Sequence, residues 1–169
     1  MVSLTDQSPV TQLTVLVVNT WRCSLYLTHE ILDSFGKPLA VLLTPNETPM
    51  PVGTKFLTPE SSQQQVGVIK RLKGSVVPPH THIKQERSVS ETAEVLVVQS
   101  GEIRVRVYQT DDGPEDRYRG MLVADEGSIV VLMRGGHSVQ FVEDSQLLEV
   151  KTGPYKGRAN DKKDINIKE

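Results

Sequence analysis

Short runs of β-branched and other apolar residues recur along this chain, parted by clusters of glycine, proline, aspartate and serine. The runs are Gln12 to Val18, Pro38 to Leu43, Val66 to Leu72, Glu94 to Val98, Ile103 to Tyr108, Ser128 to Met133, Val139 to Val142 and Leu147 to Lys151. Between them stand turn signals such as Gly36-Lys37-Pro38, Pro45-Asn46-Glu47, Gly101-Glu102, Asp125-Glu126-Gly127 and Arg134-Gly135-Gly136. Runs this short match strands better than helices, and their spacing predicts an all-β sandwich or barrel. Within one run, Ile103, Val105 and Val107 alternate with Arg104, Arg106 and Tyr108, so one face is buried and the arginines belong to a solvated outer face. A single helical turn is expected over Thr28 to Phe35, with Thr28 as its cap and Gly36 as its stop.

At 169 residues the chain is long enough for one domain with a sizeable core. Residues 1–12 read as a flexible arm and 13–65 as N-terminal strands with a long connection rich in Pro, Thr and Ser. Residues 66–152 carry the regular strand pattern, and 153–169 form a polar tail, expected to be extended. A net charge of -2 gives no electrostatic reason to bind nucleic acid or an anionic membrane. The lone cysteine, Cys23, excludes an intrachain disulfide and reads as a small buried hydrophobe. The run Leu13 to Val18 lacks a basic lead-in, and no stretch approaches the ~18 apolar residues of a membrane span. A cytoplasmic location is therefore expected.

The chemistry-bearing residues are few. His80 and His82 are two apart, which in a strand places both rings on one face. Glu94 opens an apolar run in which Leu96 and Val98 share its face, and an inward carboxylate is costly unless paired or metal-bound. His137 follows Gly135-Gly136. Three imidazoles and one carboxylate suit iron, manganese, nickel or zinc. Glu86, amid Lys84, Gln85 and Arg87, is a rival carboxylate. Arg134, Lys151 and Tyr155 are candidates to touch a substrate, Arg134 through its capacity for bidentate pairing with anions. His29 reads as a surface histidine.

Gly74, His80, His82, Glu94 and Gly101 resemble the first motif of the cupin superfamily: a glycine six positions before H-x-H, and a glutamate seven positions before a glycine. Gly127, Gly135 and His137 resemble the second motif. The segment Ile83 to Ala93 is longer than the motif's usual spacing, Met133 stands where a proline is usual, and Phe141 stands near a customary asparagine. The stretches around Thr92-Ala93-Glu94, Gly135-Gly136-His137 and Glu149 to Gly157 are also similar to small bacterial cupins found near genes for surface-sugar synthesis. The resemblance implies a double-stranded β-helix, or jelly-roll, barrel with extra N-terminal strands. It further implies a divalent metal held by His80, His82, Glu94 and His137, and a homodimer.

Three functions fit those residues. One is a metal-dependent enzyme, an oxygenase, isomerase or lyase, acting on a sugar-like molecule or keto acid. Another is a non-catalytic module binding such a molecule. The third is a metal-free sugar-nucleotide epimerase or isomerase, with His80 or His82 as base and Tyr155 as acid. The sequence assigns no catalytic residue among them.

Overall fold

A computed structural model describes residues 26–46, 50–89, 91–110 and 116–165. The expected strand Gln12 to Val18, the arm 1–12 and Cys23 lie outside the described residues. Among the described residues ten strands follow one another: β1 Tyr26–Leu32, β2 Pro38–Pro45, β3 Gly53–Phe56, β4 Gly67–Lys70, β5 Glu94–Ser100, β6 Ile103–Gln109, β7 Arg117–Ala124, β8 Ile129–Leu132, β9 Gly136–Phe141 and β10 Gln146–Lys151. One helical turn, α1 Arg158–Asp161, comes last. Every strand pairing is antiparallel. The strands form a five-stranded sheet in the order β1-β2-β8-β5-β10, a three-stranded sheet β7-β6-β9, and the separate pair β3-β4.

The two larger sheets share one core. Leu96 and Val98 of β5, Leu42 of β2 and Val130 of β8 pack with Ile103, Val105 and Val107 of β6 and with Leu122 of β7. Each such fully buried side chain stabilises the fold by about 1.5–3 kcal/mol. Arg104 and Arg106 lie on the exposed side of β6, as the alternation predicts. The five-stranded sheet is also covered on its other face. Val41, Leu43, Val95 and Val131 there pack under Leu57 and Val66, which flank β3 and β4. A sheet buried on both faces explains why Leu39 to Leu43 is apolar throughout rather than alternating.

The expected helical turn over Thr28 to Phe35 is instead strand β1 followed by a hairpin turn. The expected cap, Thr28, lies within β1 opposite Leu43, and only the expected stop, Gly36, belongs to that turn. Asp33 accepts hydrogen bonds at Oδ1 from the backbone N–H of Phe35 and of Lys37, both 2.8 Å, and Gly36 takes the left-handed φ of +77°. Side-chain acceptors of this kind compete with helix formation. Gln109, at the end of β6, ties the same turn down by accepting from the Ser34 N–H at 2.9 Å. The long connection expected over residues 44–62 contains β3, and β7 escaped notice because only Leu122 and Ala124 in it are buried.

His80-Thr81-His82 does not lie in a strand. From Arg71 to Val89 the chain carries no regular structure beyond one turn. Pro78-Pro79 stands directly before His80, removing two backbone donors and fixing two φ angles, which opposes a ladder there. The arm leaves large apolar side chains in the open, with Val76 81% and Ile83 83% exposed. Among the described residues β9 pairs with a strand, β6, on one side only, and no closed barrel forms. No described helix is long and apolar enough to cross a membrane.

Candidate functional site

Two of the four expected ligands meet. Glu94 is the first residue of β5 in the larger sheet, and His137 is the second residue of β9 in the smaller one. His137 Nε2 lies 3.1 Å from Glu94 Oε2, so this contact bridges the two sheets at one end of the core. The strand register explains the placement. Glu94 shares the inward face of β5 with Leu96 and Val98, while His137 sits opposite Val107 of β6, whose side chain belongs to the same core. Gly135 makes the approach to β9 possible, since its φ of +76° lies where other residues are strained.

The pair is polarised. The Glu94 side chain is 8% exposed and that of His137 26%. The hydrogen bond from His137 holds the Glu94 carboxyl below its ordinary value, burial opposes that shift, and the charges of His137, Lys162 and Lys151 reinforce it. With Nε2–H donating to the carboxylate, Nδ1 is the ring nitrogen left for other partners. An imidazole oriented by a buried carboxylate is equipped to take up or release a proton.

The tail closes this end of the molecule and is not simply extended. Lys151, opposite Glu94 in the register of β5 and β10, places Nζ 3.6 Å from Asp161 Oδ2 and 4.3 Å from the centre of the Tyr155 ring. Ile165 packs against Gly136, where an added Cβ would come within 3.1 Å of its Cγ1 and 3.0 Å of Thr110 Cγ2. Lys151 and Tyr155 thus belong to the same neighbourhood as Glu94 and His137, although Tyr155 itself is largely exposed.

The other expected ligands stand apart. The rings of His80 and His82 do share a side, with centroids 5.5 Å apart, but they belong to the exposed arm, and His80 Nδ1 lies 2.9 Å from the Pro78 carbonyl oxygen. Glu86 is exposed on the same arm. Among the described residues no three His, Cys, Asp or Glu side chains are grouped to hold a metal. The arrangement as it stands does not fit a four-ligand centre.

Arg134 has a structural partner. Its guanidinium Nη2 donates to Asp33 Oδ2, fastening the loop between β8 and β9 to the β1–β2 turn. Burial raises the Asp33 carboxyl, yet the bond from Arg134 and the Lys37 and Phe35 amides together bring it below its ordinary value.

Sequence reasoning missed a concavity. A cavity of about 380 Å³ lies on the outer face of the five-stranded sheet, with Val131, Met133 and Ala93 beneath and the segment Pro59 to Gln64 above. Its lining is scattered over four stretches of sequence, so no local motif announces it. No protein-family model matches this chain, and neither a curated protein nor a solved structure is found to match it.

Proposed function

We propose that the chain is a small cupin-like protein that binds a polar small molecule, sugar-like or a keto acid, around Glu94 and His137. The observation that carries this reading is the 3.1 Å contact between those two residues, distant in sequence and contributed by different sheets. In this reading the two sheets are the halves of a double-stranded β-helix. The missing strand is the part of the arm that begins at His80, beyond the two prolines, which would add to the edge of β9 left unpaired among the described residues. An exposed arm rich in valine and isoleucine supports docking of that kind, because an unpaired strand edge and unburied apolar side chains are both costly. Docking on a second copy would give a homodimer.

A divalent transition metal belongs to this proposal only with the arm docked, when His80 and His82 would join Glu94 and His137. Elemental analysis of protein purified without an affinity tag, then offered iron, manganese, nickel and zinc in turn, tests it. Stoichiometric metal that is lost in His137→Ala and in the His80→Ala/His82→Ala double variant supports the centre. Metal-free wild-type protein, or a double variant that loads fully, overturns it. Light scattering on the same samples reads the oligomeric state.

A second reading is favoured by the way Glu94 orients His137. Here the protein uses no metal, and His137 is the proton acceptor in an epimerase- or isomerase-like reaction, with Tyr155 as a candidate acid. A screen of sugars, nucleotide sugars and keto acids by thermal shift separates the forms. Stabilisation that survives a chelator and disappears in His137→Ala favours the metal-free form, and turnover distinguishes an enzyme from a binding module.

A further inference from the structure

The Glu94–His137 end is closed as it stands. Glu94 has 8% of its side chain exposed and His137 26%, so a small molecule cannot touch both while that end stays covered. β5, β9 and β10 cannot be drawn aside, because each is held in a ladder. The last backbone bond beyond β10 runs from the Thr152 N–H to the Ala93 carbonyl at 3.2 Å. After it, residues 153–165 join no strand among the described residues, yet they return to the same end. Lys162 lies near enough for its charge to act on Glu94, and Ile165 packs against Gly136, the residue before His137.

This segment holds to itself better than to the strands. Within it, the Lys162 N–H donates to the Arg158 carbonyl at 2.9 Å and Asn160 Nδ2 to the Lys156 carbonyl at 3.1 Å, while Arg158 Nη2 pairs with Asp164 Oδ1 at 3.2 Å. Its helical turn, α1, buries no residue. Its contacts with the strands are weak. Lys151 meets Asp161 at 3.6 Å and the Tyr155 ring at 4.3 Å, a partly exposed ion pair and a cation–π contact to an exposed ring, both open to screening by water and salt. Ile165, half-buried on Gly136, adds an apolar contact. Gly153 stands between the last backbone bond and the segment, and a glycine takes up changes of φ and ψ readily. Segments held in this way open locally while the rest of the fold stays intact.

We propose that residues 153–165 form a strap over the Glu94–His137 pair, which pivots as a unit at Gly153 and lets a ligand reach both side chains. Closed, the strap limits the access of water to the carboxylate and brings the charge of Lys162 to it. Open, it leaves β5, β9 and β10 as they are. The inference rests on the reading of this end as the binding site.

Diethyl pyrocarbonate, which carbethoxylates unprotonated imidazole nitrogens, reads the strap on the whole chain without any ligand. The rate at each histidine is followed by peptide mass spectrometry at neutral pH, with the exposed His29 as internal reference. In the wild type His137 should react more slowly than His29. Ile165→Ser gives up a half-buried apolar contact and should quicken His137 about fivefold, with His29 unchanged. Gly136→Ala should quicken it by another route: Gly136 has ordinary strand backbone, and the added Cβ would overlap Ile165 and push it away. Leu43→Val loosens the core on the outer face of the five-stranded sheet, at the other end of β2, and should leave the rate at His137 unchanged. The proposal is overturned if wild-type His137 reacts as fast as His29 or if neither strap variant quickens it. It is overturned too if Leu43→Val quickens it as much, since the exposure would then come from unfolding of the whole chain. A ligand screen that finds nothing removes the binding reading alone, because the histidine rates are read without ligand.

Discussion

The contact between His137 and Glu94 makes opposite predictions for its two partners. Replacing His137 with alanine leaves a carboxylate that is 8% exposed without its hydrogen-bond donor. A hydrogen bond to a charged group is worth about 1.5–3 kcal/mol. His137 is 26% exposed, so solvent screens the bond, and Lys151 and Lys162 still lend the carboxylate some positive field. The expected loss at neutral pH is therefore the lower end, about 1.5 kcal/mol. Glu94→Leu removes the buried charge and fills an inward position beside Leu96, while the half-open imidazole can turn to water. Exchanging a buried ionic group for an apolar one is often neutral or stabilising, so this variant should stay within about 1 kcal/mol of wild type. Urea unfolding with a shared slope measures both differences. The folded Glu94 carboxyl lies below its ordinary 4.5 because His137 donates to it, so the unfolded chain takes up its proton first as the pH falls. The stability that His137 provides is thus present above the ordinary value and is lost as pH drops through the folded one. The gap between wild type and His137→Ala should close over that window. If Glu94→Leu proves the more destabilising of the two, or if the His137→Ala deficit is unchanged in acid, the pair is ordinary structural cement and the functional reading fails.

Other outcomes follow from the same geometry. Asp33→Ala should cost about 2–4 kcal/mol in urea unfolding, since it strips two turn amides and the Arg134 guanidinium of their acceptor at a buried position. Gly101→Ala should be destabilising by more than about 1 kcal/mol, because φ is +84° there and a Cβ would come within 2.6 Å of the Asp144 carbonyl oxygen. Leu39→Ala, at a position with no exposure, should cost about 2–5 kcal/mol by thermal or urea unfolding. Asp161→Asn, which removes only a partly exposed ion pair with Lys151, should change stability by less than about 1 kcal/mol, and a larger effect would mean that the tail is integral to the core.

The strand-forming part of this fold is legible because burial has a period that sequence can display. Ile103, Val105 and Val107 announce both a strand and its inward face, and the structure places them in the core as expected. Leu39 to Leu43 announces a strand, while its cover on both faces is visible only in the packing. Thr28 to Phe35 misled because a threonine serves strands as well as helix caps and a glycine serves turns as well as helix ends, and only the ladder with β2 distinguishes them. β7 was hidden by its exposed face. Glu94 was marked as a site residue by its cost, a carboxylate in an apolar run, and His137 by the glycines before it.

Sequence alone determined that this chain is built of short strands, which faces of them turn inward, and that an inward acid needs company. Tertiary structure decided which company. His137 reaches Glu94 because two sheets close on one core, a long-range fact that no local spacing encodes. The neighbouring His80 and His82, although the pattern that stands out most by eye, are left on an exposed arm by the prolines before them. The outer cavity has no sequence signature at all, because it exists only where a loop, a turn and two strand ends from separate parts of the chain are brought over the same apolar floor.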